Sequence, residues 1–216
     1  MPAADGVPTA AERAHAHIRD AIVGGGLEPG TMLSENALAA ELSMSRTPVR
    51  AALARLQEEG WVRIYPQRGA QVLGLSAQEI RESAQLRLAL ESAGVFHSDE
   101  AARRDLDARM QPNLAEQERA LHAGDFPAFA EAAMAFHSAF VDLAGNALMT
   151  ATYGRLRDRQ RFSLTHHAGR IIGDADAVIA DHRAVLAAAV AGDAVEFTRL
   201  LDAHQRDSYG TGGPHL

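Results

Sequence analysis

The chain has 216 residues, 47% of them hydrophobic, with no cysteine and a formal net charge of −7. That apolar content supports a substantial core in one large or two small domains, and the lack of cysteine excludes disulfides and thiolate metal sites. No apolar run approaches the roughly 20 residues of a membrane span, and the start lacks a basic-then-apolar signal pattern, so a cytoplasmic protein with no membrane partner is expected.

Residues 1–8 are small, contain Pro and Gly, and are expected to be disordered. Thr9-Ala10-Ala11-Glu12 reads as a capping box opening a first helix that ends in Gly24-Gly25-Gly26. From Leu33 to Val72 the chain reads as a helix, a two-residue break, a second helix carrying Ser45-Arg46-Thr47-Pro48-Val49-Arg50, and a short β-hairpin. Ser34 and Ser45 stand where helix N-caps are needed, and Pro48 falls in a first turn, where a missing N–H costs nothing. Val49, Ala52, Leu53 and Leu56 form an inward stripe, while Arg46 and Arg50, four apart, share the exposed face. Gly60 ends this helix, Trp61-Val62-Arg63-Ile64 is a short strand, and Tyr65-Pro66-Gln67-Arg68-Gly69 is the turn of a wing. The layout is that of a winged helix-turn-helix, whose second helix lies in a DNA major groove.

The acidic net charge does not oppose this reading, because charge is distributed unevenly. Between Ser45 and Gly69, Arg46, Arg50, Arg55, Arg63 and Arg68 stand against Glu58 and Glu59, a local excess of three positives. A local basic face is enough to steer DNA.

Beyond the link Leu75-Ser76, a second capping box, Ser76-Ala77-Gln78-Glu79, opens a wholly helical stretch. Helices are expected near 77–97, 99–122, 126–144, 147–167, 175–191 and 194–209, separated by Ser98, Gly124-Asp125, Gly145-Asn146, Gly173-Asp174 and Gly192-Asp193. The fold expected is mainly α: a winged helix-turn-helix over 9–74, an antiparallel six-helix bundle over 75–210, and a tail at 211–216.

Three of the ten histidines fall on inward stripes. His137 lies among Phe129, Ala133, Phe136 and Phe140; His182 lies among Val178, Ile179, Val185, Leu186 and Ala189; His204 shares a face with Phe197, Leu200 and Leu201. Converging neutral imidazoles in a protected cavity suit zinc, nickel or a similar divalent ion. His97, His122, His166 and His167 read as helix-end surface residues. Arg87, inside helix 77–97, can pair with an effector carboxylate or with an acid of the bundle such as Glu91.

Two resemblances cover nearly the whole chain. Residues Ile22–Val72 resemble the DNA-binding domain of the GntR family of bacterial transcription regulators, through Gly25, Leu27, Pro29-Gly30, Leu33, Leu38-Ala39, Ser45 to Arg50, Ala52-Leu53, Leu56, Gly60 and Arg68-Gly69. The resemblance implies that Ser45, Arg46, Thr47, Arg50, Arg68 and Gly69 face DNA. Asn36 and Ala37 depart from it, standing where many relatives carry a basic residue, so a contact there is lost or made by Asn36. Residues 77–207 resemble the FCD effector domain of the FadR-like branch, through Arg87, Leu90-Glu91, Phe136-His137, Gly145-Asn146, Asp181-His182-Arg183, Leu186, Ala188, Gly192-Asp193 and His204. Six helices resemble the shorter, VanR-like subgroup.

In FCD domains the resemblance implies a metal held by one Asp and three His, the Asp four residues before the first His. Here that position is Ala133, and Glu131 is off-register on another face. Three readings stay open: one divalent ion on His137, His182 and His204 with waters; a metal-free site where these histidines and Arg87 contact an anionic effector; or a structural core. The function expected is an effector-responsive, homodimeric regulator, a repressor by resemblance, binding a palindromic double-stranded operator and a small carboxylate. The rival readings are an architectural DNA binder with an inert bundle and a metal-dependent hydrolase. The hydrolase lacks a carboxylate beside the histidines and leaves the winged domain unexplained.

Overall fold

A computed structural model describes residues 8–209, so the expectations for residues 1–7 and for the tail 211–216 lie outside it. The chain divides into two compact units, Met1–Ser76 and Ala77–Leu216.

The first unit contains α1 (Ala10–Val23), β1 (Met32–Leu33), α2 (Glu35–Glu41), α3 (Arg46–Glu58), β2 (Val62–Tyr65) and β3 (Gly69–Val72). Thr9 and Glu12 close the capping box on α1, and the Ser34 hydroxyl accepts from the Ala37 N–H at the start of α2. Ser45 occupies the N-cap of α3 without making a side-chain cap bond, so its hydroxyl points elsewhere. Val49, Ala52, Leu53 and Leu56 are buried, which fixes α3 against α1 and α2 and turns its other face outward.

The wing holds one strand that the sequence pattern does not announce. β1 pairs with β3, giving an antiparallel sheet in the order β1-β3-β2. This pairing explains Gly69: its φ is +98°, and a Cβ there would be driven into the Leu33 carbonyl oxygen.

The second unit contains α4 (Ala77–Phe96), α5 (Glu100–His122), α6 (Phe126–Asp142), α7 (Ala147–Gly154), α8 (Arg157–His166), α9 (Ala168–Gly173), α10 (Ala175–Ala191) and α11 (Ala194–Tyr209). The six helices expected are therefore eight segments among the described residues: the helix placed over 147–167 breaks at Arg155-Leu156, and α9 forms where a loop was read. Five long helices close a ring, each packing on the next in the order α4, α6, α5, α10, α11 and back to α4, with α7 and α8 against α4 and α6.

The ring's interior is not uniformly apolar. One cluster holds Phe136, Phe140, Val185, Phe197 and Leu201 with their neighbours; a second holds Phe129, Ala133, Leu164, Ile171 and Ile179 with theirs. Along α5, α6 and α10 the buried polar residues Gln117, His137 and His182 fall between members of the two clusters. A polar layer thus crosses the core.

The α4–α6 contact is unusually close at Gly94, where a Cβ would be driven into the Phe140 carbonyl oxygen. Backbone cannot yield as a flexible side chain can, so Gly94→Ala should lower the bundle's unfolding free energy by about 2–3 kcal/mol. Chemical denaturation followed by circular dichroism would measure it, and an unchanged midpoint would show that the helices separate freely.

Candidate functional site

Every helix of the ring contributes to the polar layer: Arg87 and Glu91 from α4, His137 from α6, Gln117 from α5, His182 from α10 and His204 from α11. All six are buried, and Glu91 is 0% exposed. Its carboxylate accepts from Arg87 Nε at 2.6 Å and from the Tyr153 hydroxyl at 2.9 Å through Oε1, and from His137 Nδ1 at 2.9 Å through Oε2. Burial pushes the Glu91 carboxyl up, against the pull of Arg87 and Tyr153.

The three histidines share one arrangement. His137 Nδ1 donates to Glu91. Gln117 Nε2 donates to Asn113 Oδ1 at 2.7 Å, which leaves Gln117 Oε1 to accept from His182 Nδ1 at 2.5 Å. His204 Nδ1 faces Asp181 Oδ2 at 3.4 Å. A neutral imidazole that donates through Nδ1 carries its lone pair on Nε2. The Nε2 atoms of His182 and His204 stand 3.1 Å apart, and one ring nitrogen from each of the three histidines lies within 4.8 Å of the others. Among the described residues this is the group of acids and imidazoles that can hold a metal ion.

The donor set fits a divalent ion. At 3.1 Å the two nitrogens either share a hydrogen bond, with one ring protonated on Nε2, or, both unprotonated, flank a cation. Nitrogens on one tetrahedral zinc at 2.0–2.1 Å would be about 3.3 Å apart. Burial holds all three imidazoles below their ordinary pKa, and the Arg87 charge adds to this, so they are neutral at physiological pH. Glu91, Gln117 and Asp181 orient the rings from behind, as the partners of metal-bound histidines do. Sequence reasoning found the histidines and the Arg87–Glu91 pair, but not Gln117 or the ring-orienting roles of Glu91 and Asp181. Gln117 carried a signal: it interrupts the inward stripe of Leu106, Met110, Leu114 and Leu121.

Ala133, 2% exposed and one turn before His137, lines the cavity among these groups and offers no ligand. Glu131 is exposed and pairs with Arg157 at 3.0 Å, on the face expected. The cavity itself has a volume of about 10 Å³, enough for one ion or water and too small for an organic acid. Beside it, sharing Ile171, Val178 and Ser208, lies a wider recess of about 380 Å³ that also carries Arg170, Asp174, Asp181 and Asp207. His97, His122 and His166 are exposed, and His167 is half-buried.

In the first unit Ser45, Arg46, Thr47 and Arg50 are exposed on the N-terminal half of α3, Asn36 is exposed on α2, and Arg68 is exposed beside Gly69 at the wing tip. Gly69 stands where a side chain would run into the Leu33 carbonyl oxygen. One half-buried pair escaped the sequence reading: His15 of α1, 5% exposed, contacts the partly exposed Glu59 at 2.8 Å.

Residues 10–72 match the family model of bacterial regulatory proteins of the gntR family, and residues 82–207 match that of the FCD domain. The chain belongs to the GntR family and carries an FCD domain. A helix-turn-helix regulator from the TAR-I ttuE-ttuC' intergenic region of Agrobacterium vitis is 36% identical over 130 residues, 59% of this chain and 76% of that protein. The transcriptional repressor RspR of Escherichia coli K12 is 29% identical over 186 residues, 84% of this chain and 79% of its own length. A GntR regulator structure from Rhodococcus sp. RHA1 superimposes with a TM-score of 0.75 at 25% identity, covering 93% of this chain and 95% of that one. This GntR-family chain is therefore a DNA-binding transcription regulator, a non-enzymatic class, and the hydrolase reading falls away.

Burial of the histidines makes the bundle sensitive to acid. Their folded-state pKa values lie below the ordinary 6.5, so between these values the unfolded chain binds more protons than the folded one. Their contribution is complete above pH 6.5 and lost as pH falls through the folded-state values. Glu91, pushed up, acts with the opposite sign above its ordinary 4.5, so the histidine part is read by difference. Without metal, stability should fall less steeply below pH 6.5 in His182→Gln than in the parent, by up to about 1.4 kcal/mol per pH unit. Denaturant titrations at several pH values would test this; equal slopes would mean that His182 titrates normally in the fold.

Proposed function

We propose that this chain is a cytoplasmic, homodimeric repressor whose hold on a palindromic operator is set by a small carboxylate bound in the α4–α11 bundle, through a divalent ion on His137, His182 and His204. The observation that carries this reading is the convergence of the three imidazoles, each with Nδ1 beside an oxygen acceptor and one ring nitrogen from each within 4.8 Å of the others. A buried histidine with a structural role needs no such convergence. A divalent ion bound there would supply the positive charge to which a carboxylate coordinates. Arg87 adds a second charge at the cavity wall, offset by Glu91 until an anion competes for it. Because the cavity holds only an ion or a water, the effector reaches it by opening the bundle toward the wider recess. That opening is a differential contact of the kind an allosteric response requires. Names among the relatives agree with the sign: RspR and the gluconate operon protein of Bacillus subtilis are both called repressors.

In the DNA-bound state Ser45, Arg46, Thr47 and Arg50 meet the major groove while Arg68 and Gly69 approach from the wing. With two copies on a two-fold axis, half-sites lie about one helical turn apart or less. Asn36 replaces a basic contact on α2, so binding leans more heavily on α3.

Two measurements test the proposal. Arg50→Ala should weaken operator binding by about 1–3 kcal/mol in a fluorescence anisotropy titration at fixed salt. Unchanged affinity would remove α3 from the interface. Ala133→Asp restores a carboxylate one turn before His137 and should tighten zinc or nickel binding about tenfold or more by isothermal titration calorimetry. No gain would mean that the histidines do not act as a metal site.

A further inference from the structure

The two arginines offered to DNA are not isolated on the surface. Glu35, the first residue of α2, lies beside both. Its carboxylate accepts from Arg50 Nε at 3.3 Å and from Arg50 Nη2 at 2.9 Å, and Arg46 Nη2 stands 3.6 Å from the same oxygen. Glu35's side chain is 23% exposed against 63% for Arg50, so the acid sits at the base of the cluster and the guanidinium lies over it. The Arg50 hydrogen bond holds the Glu35 carboxyl below its ordinary range.

Which edge of Arg50 is occupied decides what remains. Nε and Nη2 form the side-on edge of a guanidinium, and Glu35 takes it. The end-on fork, Nη1 with the second hydrogen of Nη2, is left pointing away. Two parallel N–H groups in that spacing match O6 and N7 of one guanine. An arginine without such a support has a long flexible stem and reaches phosphate oxygens as readily as base edges.

We infer that Glu35 is a specificity-determining positioning residue: it grips Arg50 by the side-on edge so that the end-on fork reads a single guanine, and its charge disfavours binding through phosphates alone. The inference rests on α3 being the DNA-reading helix. A purely structural Glu35, favoured at a helix N-terminus by the dipole, would leave sequence preference unchanged.

The test uses the full chain and a duplex that the parent protein selects from a randomised pool. Affinities are measured at one salt concentration for that duplex, for versions with each half-site guanine in turn replaced by 7-deazaguanine, and for an unrelated duplex. The parent should lose about tenfold at one guanine, since removing N7 removes one bond of the fork. Arg50→Ala should lose that sensitivity. Glu35→Ala and Glu35→Gln should lose it as well, while their affinity for the unrelated duplex rises a few-fold. Glu35→Gln keeps the size of the side chain, so it gives the answer if Glu35→Ala does not fold. If the Glu35 variants bind both duplexes more tightly by one factor and stay sensitive to 7-deazaguanine, Glu35 only neutralises charge and the inference is overturned. If every affinity is unchanged in them, it is equally overturned. Should Arg50→Ala itself remain sensitive, the reading of α3 fails, and the inference with it.

Discussion

A carboxylate with no access to water must be fully satisfied or the fold cannot hold it, and Glu91 is in that position at 0% exposure. Its oxygens are met by Arg87 from its own helix, Tyr153 from α7 and His137 from α6. Removing Arg87 would leave an uncompensated charge in a low dielectric, a loss of about 3–5 kcal/mol. Three helices are thereby tied at one point, and the His137 ring is fixed in the tautomer that turns its other nitrogen to the cavity. An apolar core of the same volume would be no less stable. The position is better understood as setting the direction of the His137 ring than as adding strength.

From that point the rest of the polar layer follows. Gln117, fixed by Asn113, does for His182 what Glu91 does for His137. The ring of α4, α6, α5, α10 and α11 brings the three imidazoles together, and the apolar clusters on either side keep water from them. In the DNA-binding unit a similar logic operates at the surface. Glu35 orders Arg50, and the β1–β3 pairing sets the wing against which Gly69 is the residue that fits. In both units carboxylates orient the groups expected to meet ligands.

The winged unit was largely legible in the sequence because its turn chemistry is local. Thr9 with Glu12, Ser34, Pro48 and Gly60 each mark a boundary by their own stereochemistry. β1 was not legible, since two residues are too few to show alternation. In the bundle the long helices appeared through periodicity, but the break after Gly154 did not. A single glycine is tolerated inside a helix, and neither proline nor a cap marks Arg155-Leu156. His137, His182 and His204 stood out because each interrupts an apolar stripe. Their partners Gln117 and Asp181, and Tyr153 behind Glu91, are distant in sequence or sit near the surface, so only the three-dimensional packing pairs them.

Metal content decides most directly whether the three imidazoles are a binding centre. Untagged protein prepared without chelators should retain about one zinc or nickel ion per chain by elemental analysis, and His182→Ala should retain none. A parent protein with no bound metal and no measurable zinc uptake would contradict this, leaving the polar layer as a site for an anion held by histidine and arginine alone.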